Sequence, residues 1–173
     1  MQGICREFTG NKQGKSMKLR PSYGSFKANY AYKSLADTLN MLEKQIAISV
    51  PFAEDYCEMV AENPYSLFRF LRSQVIYKDD PEGVELIQSM PSLFLNNYYG
   101  VPGMGDCDCF TVTACASMIA KGIPTGFTIY GNDKWPTHIA ADAYDPNRTI
   151  FDLVAPDLGM VREYAWEQSF RLT

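Results

Sequence analysis

The sequence predicts an α+β domain, with helices first and a small antiparallel sheet after them. Three observations carry this. Apolar residues recur at helical spacing between Leu35 and Val75. From Asp106 to Lys121 a run of small and apolar residues reads as one central helix, closed by Gly122-Ile123-Pro124. From Phe127 to Val154 apolar stretches flank Asp145-Pro146-Asn147-Arg148, a strong turn signal, as strands of a sheet would.

Taken in order, Met1 to Tyr32 shows no sustained period. It is rich in Gly, Lys, Ser and Asn, with Phe8, Tyr23, Phe26, Tyr30 and Tyr32 interleaved. Ser34 suits an N-cap with Asp37 three residues on, and Leu35, Leu39, Leu42 and Ile46 form the face of a first helix. Pro51 is expected to stop it and to begin a second, with Phe52, Tyr56, Met59 and Val60 inward, ended by Asn63-Pro64. Cys57 in that helix reads as a small buried hydrophobe. A third helix follows Pro64, with Leu67, Phe68, Leu71 and Val75 on its core face. After a turn at Lys78-Asp79-Asp80-Pro81, residues Pro81 to Gln88 suit a short helix, and Pro91 to Gly103 a loop. Phe127 to Ile129, His138 to Tyr144 and Thr149 to Val154 read as three strands. The tail to Thr173 is weakly patterned, with Trp166 and Phe170 as its docking residues.

The chain has 173 residues, enough for one domain with a sizeable core. No run approaches the roughly 18 apolar residues of a membrane span, and charges at Arg6, Glu7, Lys12, Lys15 and Lys18 break up any secretory signal core. A non-secreted protein is expected. The five cysteines, an odd number, are read as free thiols. Charge is unevenly placed. Through Lys33 there are seven basic residues against Glu7, a balance of +6; the rest carries nine basic and nineteen acidic residues, a balance of −10. The organisation read is a basic extended arm, 1–33, before a single domain, 34–173. The arm suits a protein partner. Basic charge with aromatics can also grip single-stranded nucleic acid, the less favoured use here.

The chemistry gathers between Gly105 and Asp152. Cys107 opens the central helix, where unpaired N–H groups and the positive end of the dipole favour a thiolate. His138 is the only histidine, so no other imidazole can activate a cysteine here. His138 and Asp152 lie equally far from Asp145, so a hairpin centred there with an odd loop sets them opposite each other on one face. Asp142 is the rival carboxylate, two positions away on the face that His138 shares. Asp108, Tyr98 and Tyr99 are candidates for the cleft. The backbone N–H of Cys107, with Tyr98 or Tyr99, would serve the oxyanion. Cys107, Cys109, Cys115 and His138 could instead be weighed as a zinc site, but a single residue between the first two fits zinc spacing poorly. No metal and no cofactor are expected.

These residues carry a resemblance. Gly105-Asp106-Cys107-Asp108, the helix after it, Gly122-Ile123-Pro124, His138-Ile139 and Phe151-Asp152 resemble the core of the transglutaminase-like superfamily of cysteine enzymes. Ile76-Tyr77 and Glu85-Leu86-Ile87-Gln88-Ser89 extend the likeness to small members encoded by bacteriophages, over about residues 64–155. The chain departs from that pattern at Cys109, where a second acid is frequent, and at Leu153, where a proline is. The resemblance implies a papain-like α+β fold with a Cys107-His138-Asp152 triad. It implies a peptide or protein substrate, hydrolysed at an amide bond, and a location in host cytoplasm or virion. A crosslinking transglutaminase and a non-catalytic virion or interaction protein on the same scaffold are the alternatives.

Overall fold

The computed structural model describes residues 27–30, 35–82, 85–95 and 100–173. The rest of the arm, and Tyr98 and Tyr99, lie outside the described residues. The architecture is mixed helix and sheet, an α+β arrangement. Among the described residues no helix is long and apolar enough to cross a membrane.

Helix α1 runs unbroken over Leu35–Tyr56, through Pro51, where the sequence predicts two helices. Proline removes one helical hydrogen bond, to the carbonyl four residues back. Ala47 and Pro51 are both exposed, so this defect faces solvent, while Ser49, Phe52 and Ala53 beside it are buried. Packing against the central helix holds the two halves in line. Cys57 sits just past the helix end and is fully buried.

Helix α2, Pro64–Ser73, starts as expected: the Asn63 side chain accepts the Ser66 N–H at 2.9 Å and Pro64 occupies the first turn. Strand β1, Lys27–Tyr30, pairs antiparallel with β3, Glu85–Gln88. The latter replaces the helix expected from Pro81 to Gln88. Ile87 is buried between half-exposed Leu86 and Gln88, as alternation along a strand places it. Strand β2, Val75–Tyr77, pairs in parallel with β4, Gly103–Gly105, and a short helix α3, Met90–Leu93, occupies part of the stretch read as loop.

The centre of the molecule is α4, Cys107–Ala120. Every residue from Asp108 to Met118 is buried, so the run of small residues serves a helix covered on all sides. It ends at Gly122, whose φ of +68° suits glycine. Then come β5, Thr125–Asn132; β6, Trp135–Tyr144; and β7, Arg148–Phe151. The weakly patterned tail forms a further strand, β8, Trp166–Arg171. The sheet order is β7-β6-β5-β8, all antiparallel. Phe127, Ile129, Ile139, Ala141, Ala143 and Phe151 turn from it into the core that α4 fills.

The sheet's other face is polar. Asp142 is fully buried there and accepts from Thr128 Oγ1 at 2.5 Å and Arg148 Nε at 3.0 Å. The Arg148 guanidinium also donates to Glu167 Oε1, Thr128 Oγ1 and Tyr130 Oη at 2.9, 2.9 and 3.2 Å, so one side chain ties all four strands together. Burial raises the Asp142 carboxyl, against the lowering effect of its bonds from Thr128 and Arg148.

Candidate active site

The parallel pair of β2 and β4 aims Gly105-Asp106 at the start of α4, with Lys78 N–H bonded to the Gly105 carbonyl at 2.9 Å. Gly105 is required by close approach: a Cβ there would lie 2.7 Å from Cys109 Cβ and 3.1 Å from Leu93 Cδ1. Asp106 is the N-cap residue by backbone position, without a side-chain cap bond, and Cys107 is the first helical residue. Its N–H is therefore one of those a helix start leaves without an intrahelical partner.

Cys107 and His138 line one cavity of about 600 Å³. α1 contributes Leu35, Thr38 and Leu42 to its wall, β2 contributes Tyr77, and Asp106 and Asp108 flank the cysteine. Trp135, 77% exposed, stands on the β6 side. The backbone N–H of Ile139, the residue after His138, acts on the Cys107 sulfur in the direction that favours a thiolate.

His138 Nε2 and Asp152 Oδ2 are 2.8 Å apart, and both residues are largely buried. Asp152 is itself fixed, since its Oδ1 accepts the Val154 N–H at 2.9 Å. With a carboxylate on Nε2, that nitrogen carries the proton and Nδ1 is left to accept one. The pairing geometry differs from the expected one. The register joins Tyr144 to Arg148 and Ala141 to Phe151, so the loop is odd but centred on Pro146. One step further, Asp152 falls opposite Ala140, and it reaches His138 diagonally. Asp142 is spent on Thr128 and Arg148.

Two tyrosines that the sequence reading did not single out complete the imidazole's surroundings. Tyr164 stacks on His138 with ring centres 5.8 Å apart and planes 12° from parallel. Tyr130, the direct cross-strand partner of His138, lies 6.1 Å from it and 5.1 Å from Tyr164. Laying β5 against β6 in register would have found Tyr130. Tyr164 comes from the unpatterned stretch before β8 and has no sequence signal.

The thiol's electrostatics differ from those expected of a helix start. Desolvation first, then Asp106 and Asp108, push the Cys107 thiol up to about 12, against the lowering effect of the Ile139 N–H. The resting thiol is protonated at neutral pH. Cys109 and Cys115 are engaged elsewhere. Cys109 Sγ lies 3.0 Å from the Leu86 carbonyl oxygen, which it bonds, and accepts the Gln88 N–H at 3.3 Å. Cys115 Sγ bonds the Gly126 carbonyl at 3.3 Å. Among the described residues, Cys107, Cys109 and Cys115 thus form no convergent zinc set with His138. The groups that do converge among the described residues are Asp106, Asp108 and Cys109, whose ligand atoms lie within 4.8 Å of one another. Burial raises the Cys109 thiol strongly, which opposes the thiolate a metal would need.

No protein-family model matches the chain, and comparison with curated proteins and with solved structures returned no match.

Proposed function

We propose that the chain is a thiol-dependent acyl-transfer enzyme of transglutaminase-like type that hydrolyses a peptide or other amide bond. The observation that carries the reading is the 2.8 Å bond between His138 Nε2 and Asp152 Oδ2, beside a cavity that the helix-start Cys107 also lines.

In this mechanism Cys107 attacks the carbonyl carbon of the bound amide. Because burial and its neighbouring carboxylates keep the thiol protonated at rest, the proton leaves during the attack, to His138 Nδ1. Asp152 holds the ring in the tautomer that can take it and stabilises the imidazolium that forms. The Cys107 N–H, at the positive end of α4, is a donor for the oxyanion. His138 then returns its proton to the leaving amine. Water, activated by the same imidazole, hydrolyses the thioester and restores the thiol.

A non-catalytic interaction protein on this scaffold is the second reading, and the raised Cys107 thiol is the observation that favours it. Incubation with p-nitrophenyl acetate separates the two. An acyl-transfer enzyme gives an acetyl adduct on Cys107, seen by peptide mass mapping, and steady nitrophenolate release that Cys107→Ala and His138→Ala abolish. Release no faster than from Cys107→Ala would overturn the proposal. Addition of a primary amine distinguishes hydrolysis from crosslinking chemistry: an N-acetyl amine as the main product would mark the latter.

A further inference from the structure

The helix that carries Cys107 and the strand that carries His138 meet at one hydroxyl. Thr111 lies a helical turn after Cys107 and is 2% exposed. Its Oγ1 is 2.8 Å from the Cys107 carbonyl oxygen and 3.2 Å from the Ile139 carbonyl oxygen. The Ile139 N–H in turn acts on the Cys107 sulfur, favouring its thiolate. The Ile139 carbonyl is thus held by the second turn of α4, immediately next to His138.

A hydroxyl has one proton to donate, and both neighbours of Thr111 Oγ1 are carbonyl acceptors. That one proton is shared between the two oxygens, and without it the Ile139 carbonyl loses its side-chain donor from α4. We propose that Thr111 is a positioning residue, a latch that sets the spacing between the Cys107 and His138 backbones through Ile139. It touches neither substrate nor the reacting atoms. The consequence for turnover rests on the acyl-transfer reading; the latch itself does not.

Thr113 provides an internal control. It is fully buried on the same helix, and its hydroxyl bonds the Cys109 carbonyl at 3.0 Å, four residues back as in Thr111. It lacks, among the described residues, the bond across to β6. Valine removes the hydroxyl at either position while keeping the branched shape.

The test compares Thr111→Val, Thr111→Ser and Thr113→Val in the full chain. The first readout is amide hydrogen exchange at Ile139 by NMR, which needs no activity. Exchange should quicken about tenfold or more in Thr111→Val, stay as in the parent in Thr113→Val, and be restored in Thr111→Ser. The second readout is nitrophenyl acetate turnover. In Thr111→Val kcat should fall about ten- to hundredfold with KM nearly unchanged, since a displacement near 1 Å is costly to catalysis. Ile139 exchange in Thr111→Val equal to that in Thr113→Val would overturn the latch. If neither parent nor variant turns over the ester, the acyl-transfer reading fails and Ile139 exchange alone decides the latch. Should Thr111→Val not fold, Thr111→Ala carries the same comparison.

Discussion

Asp152 meets His138 from two positions along the strand pair, across from Ala140, with Oδ2 2.8 Å from Nε2. The contact works because Asp152 lies just past β7, where its Oδ1 is held by the Val154 N–H and its other oxygen is free to lean toward β6. An amide at this position keeps the contact either by offering its oxygen to a protonated Nε2 or by donating its NH2 to the other tautomer, whose Nδ1 then carries the proton and cannot accept one. Asp152→Asn is therefore expected to lower Tm by roughly 1–6 °C at most, because weakening of one hydrogen bond is modest. It should lower kcat about a hundredfold or more, since the imidazolium loses its carboxylate. Thermal melts and ester kinetics on the one variant check this; a full-rate Asp152→Asn would remove Asp152 from the mechanism.

The thiol predicts its own pH profile. A Cys107 pKa near 12 means that its thiolate fraction rises about tenfold per pH unit through pH 10, with no plateau near the ordinary thiol value of about 8.5. Iodoacetamide alkylation of Cys107, followed by mass mapping in His138→Ala to remove the general base, should show that climb. A plateau below pH 7 in the parent would instead reveal a preformed thiolate–imidazolium pair.

Arg148→Ala should destabilise the fold by about 3 kcal/mol, because it strands the fully buried Asp142 carboxylate. That corresponds to a fall in Tm of roughly 6–12 °C. The pH dependence has a definite sign. Asp142 holds its proton more tightly in the folded chain than in the unfolded one, so folding is favoured as pH falls from neutral through its raised pKa. Once protonated, Asp142 no longer needs Arg148. The deficit of Arg148→Ala should shrink on acidification across that range, and a deficit that grows would contradict this account.

The C-terminal strand is seated by two glycines. A Cβ on Gly126 would collide with the Phe170 carbonyl oxygen, and one on Gly131 with the Trp166 ring. Gly126→Ala is expected to cost about 1–3 kcal/mol by forcing β8 outward, a typical overpacking cost. Faster amide exchange confined to β5 and β8 would locate the damage; loss spread evenly over the sheet would argue against it.

The parts of the fold that were legible are those with local signals. Cys107 to Gly122 announces a helix by its small residues and its stop, and Asp145-Pro146-Asn147-Arg148 announces the turn between β6 and β7. What was not legible depends on distant partners. Lys27–Tyr30 and Glu85–Gln88 each look unremarkable, and become strands by pairing with each other across more than fifty residues. Trp166–Arg171 is an edge strand with inward apolar groups only at Trp166 and Phe170, too sparse for a periodic signal. Pro51 looks like a helix stop, because the sequence does not say that its defect faces solvent while Phe52 and Ala53 are pinned from within. In the candidate site, residue type and spacing singled out Cys107, His138 and Asp152; the structure bonds His138 to Asp152 and sets Cys107 and His138 on one cavity. The raised thiol was missed because a helix start suggests stabilisation of charge, whereas burial beside Asp106 and Asp108 outweighs it.

The stack of Tyr130, His138 and Tyr164 makes the imidazole a built-in spectroscopic probe. With one histidine in the chain, the ring-proton NMR resonances of His138 need no assignment by mutagenesis. Ring currents from the tyrosine lying nearly parallel to it should carry those resonances upfield. A ligand that enters the cavity and disturbs the stack would move them back. Titration of candidate peptides against these signals would read occupancy of the cavity directly, without any turnover, and so offers a way to find a substrate before its chemistry is known.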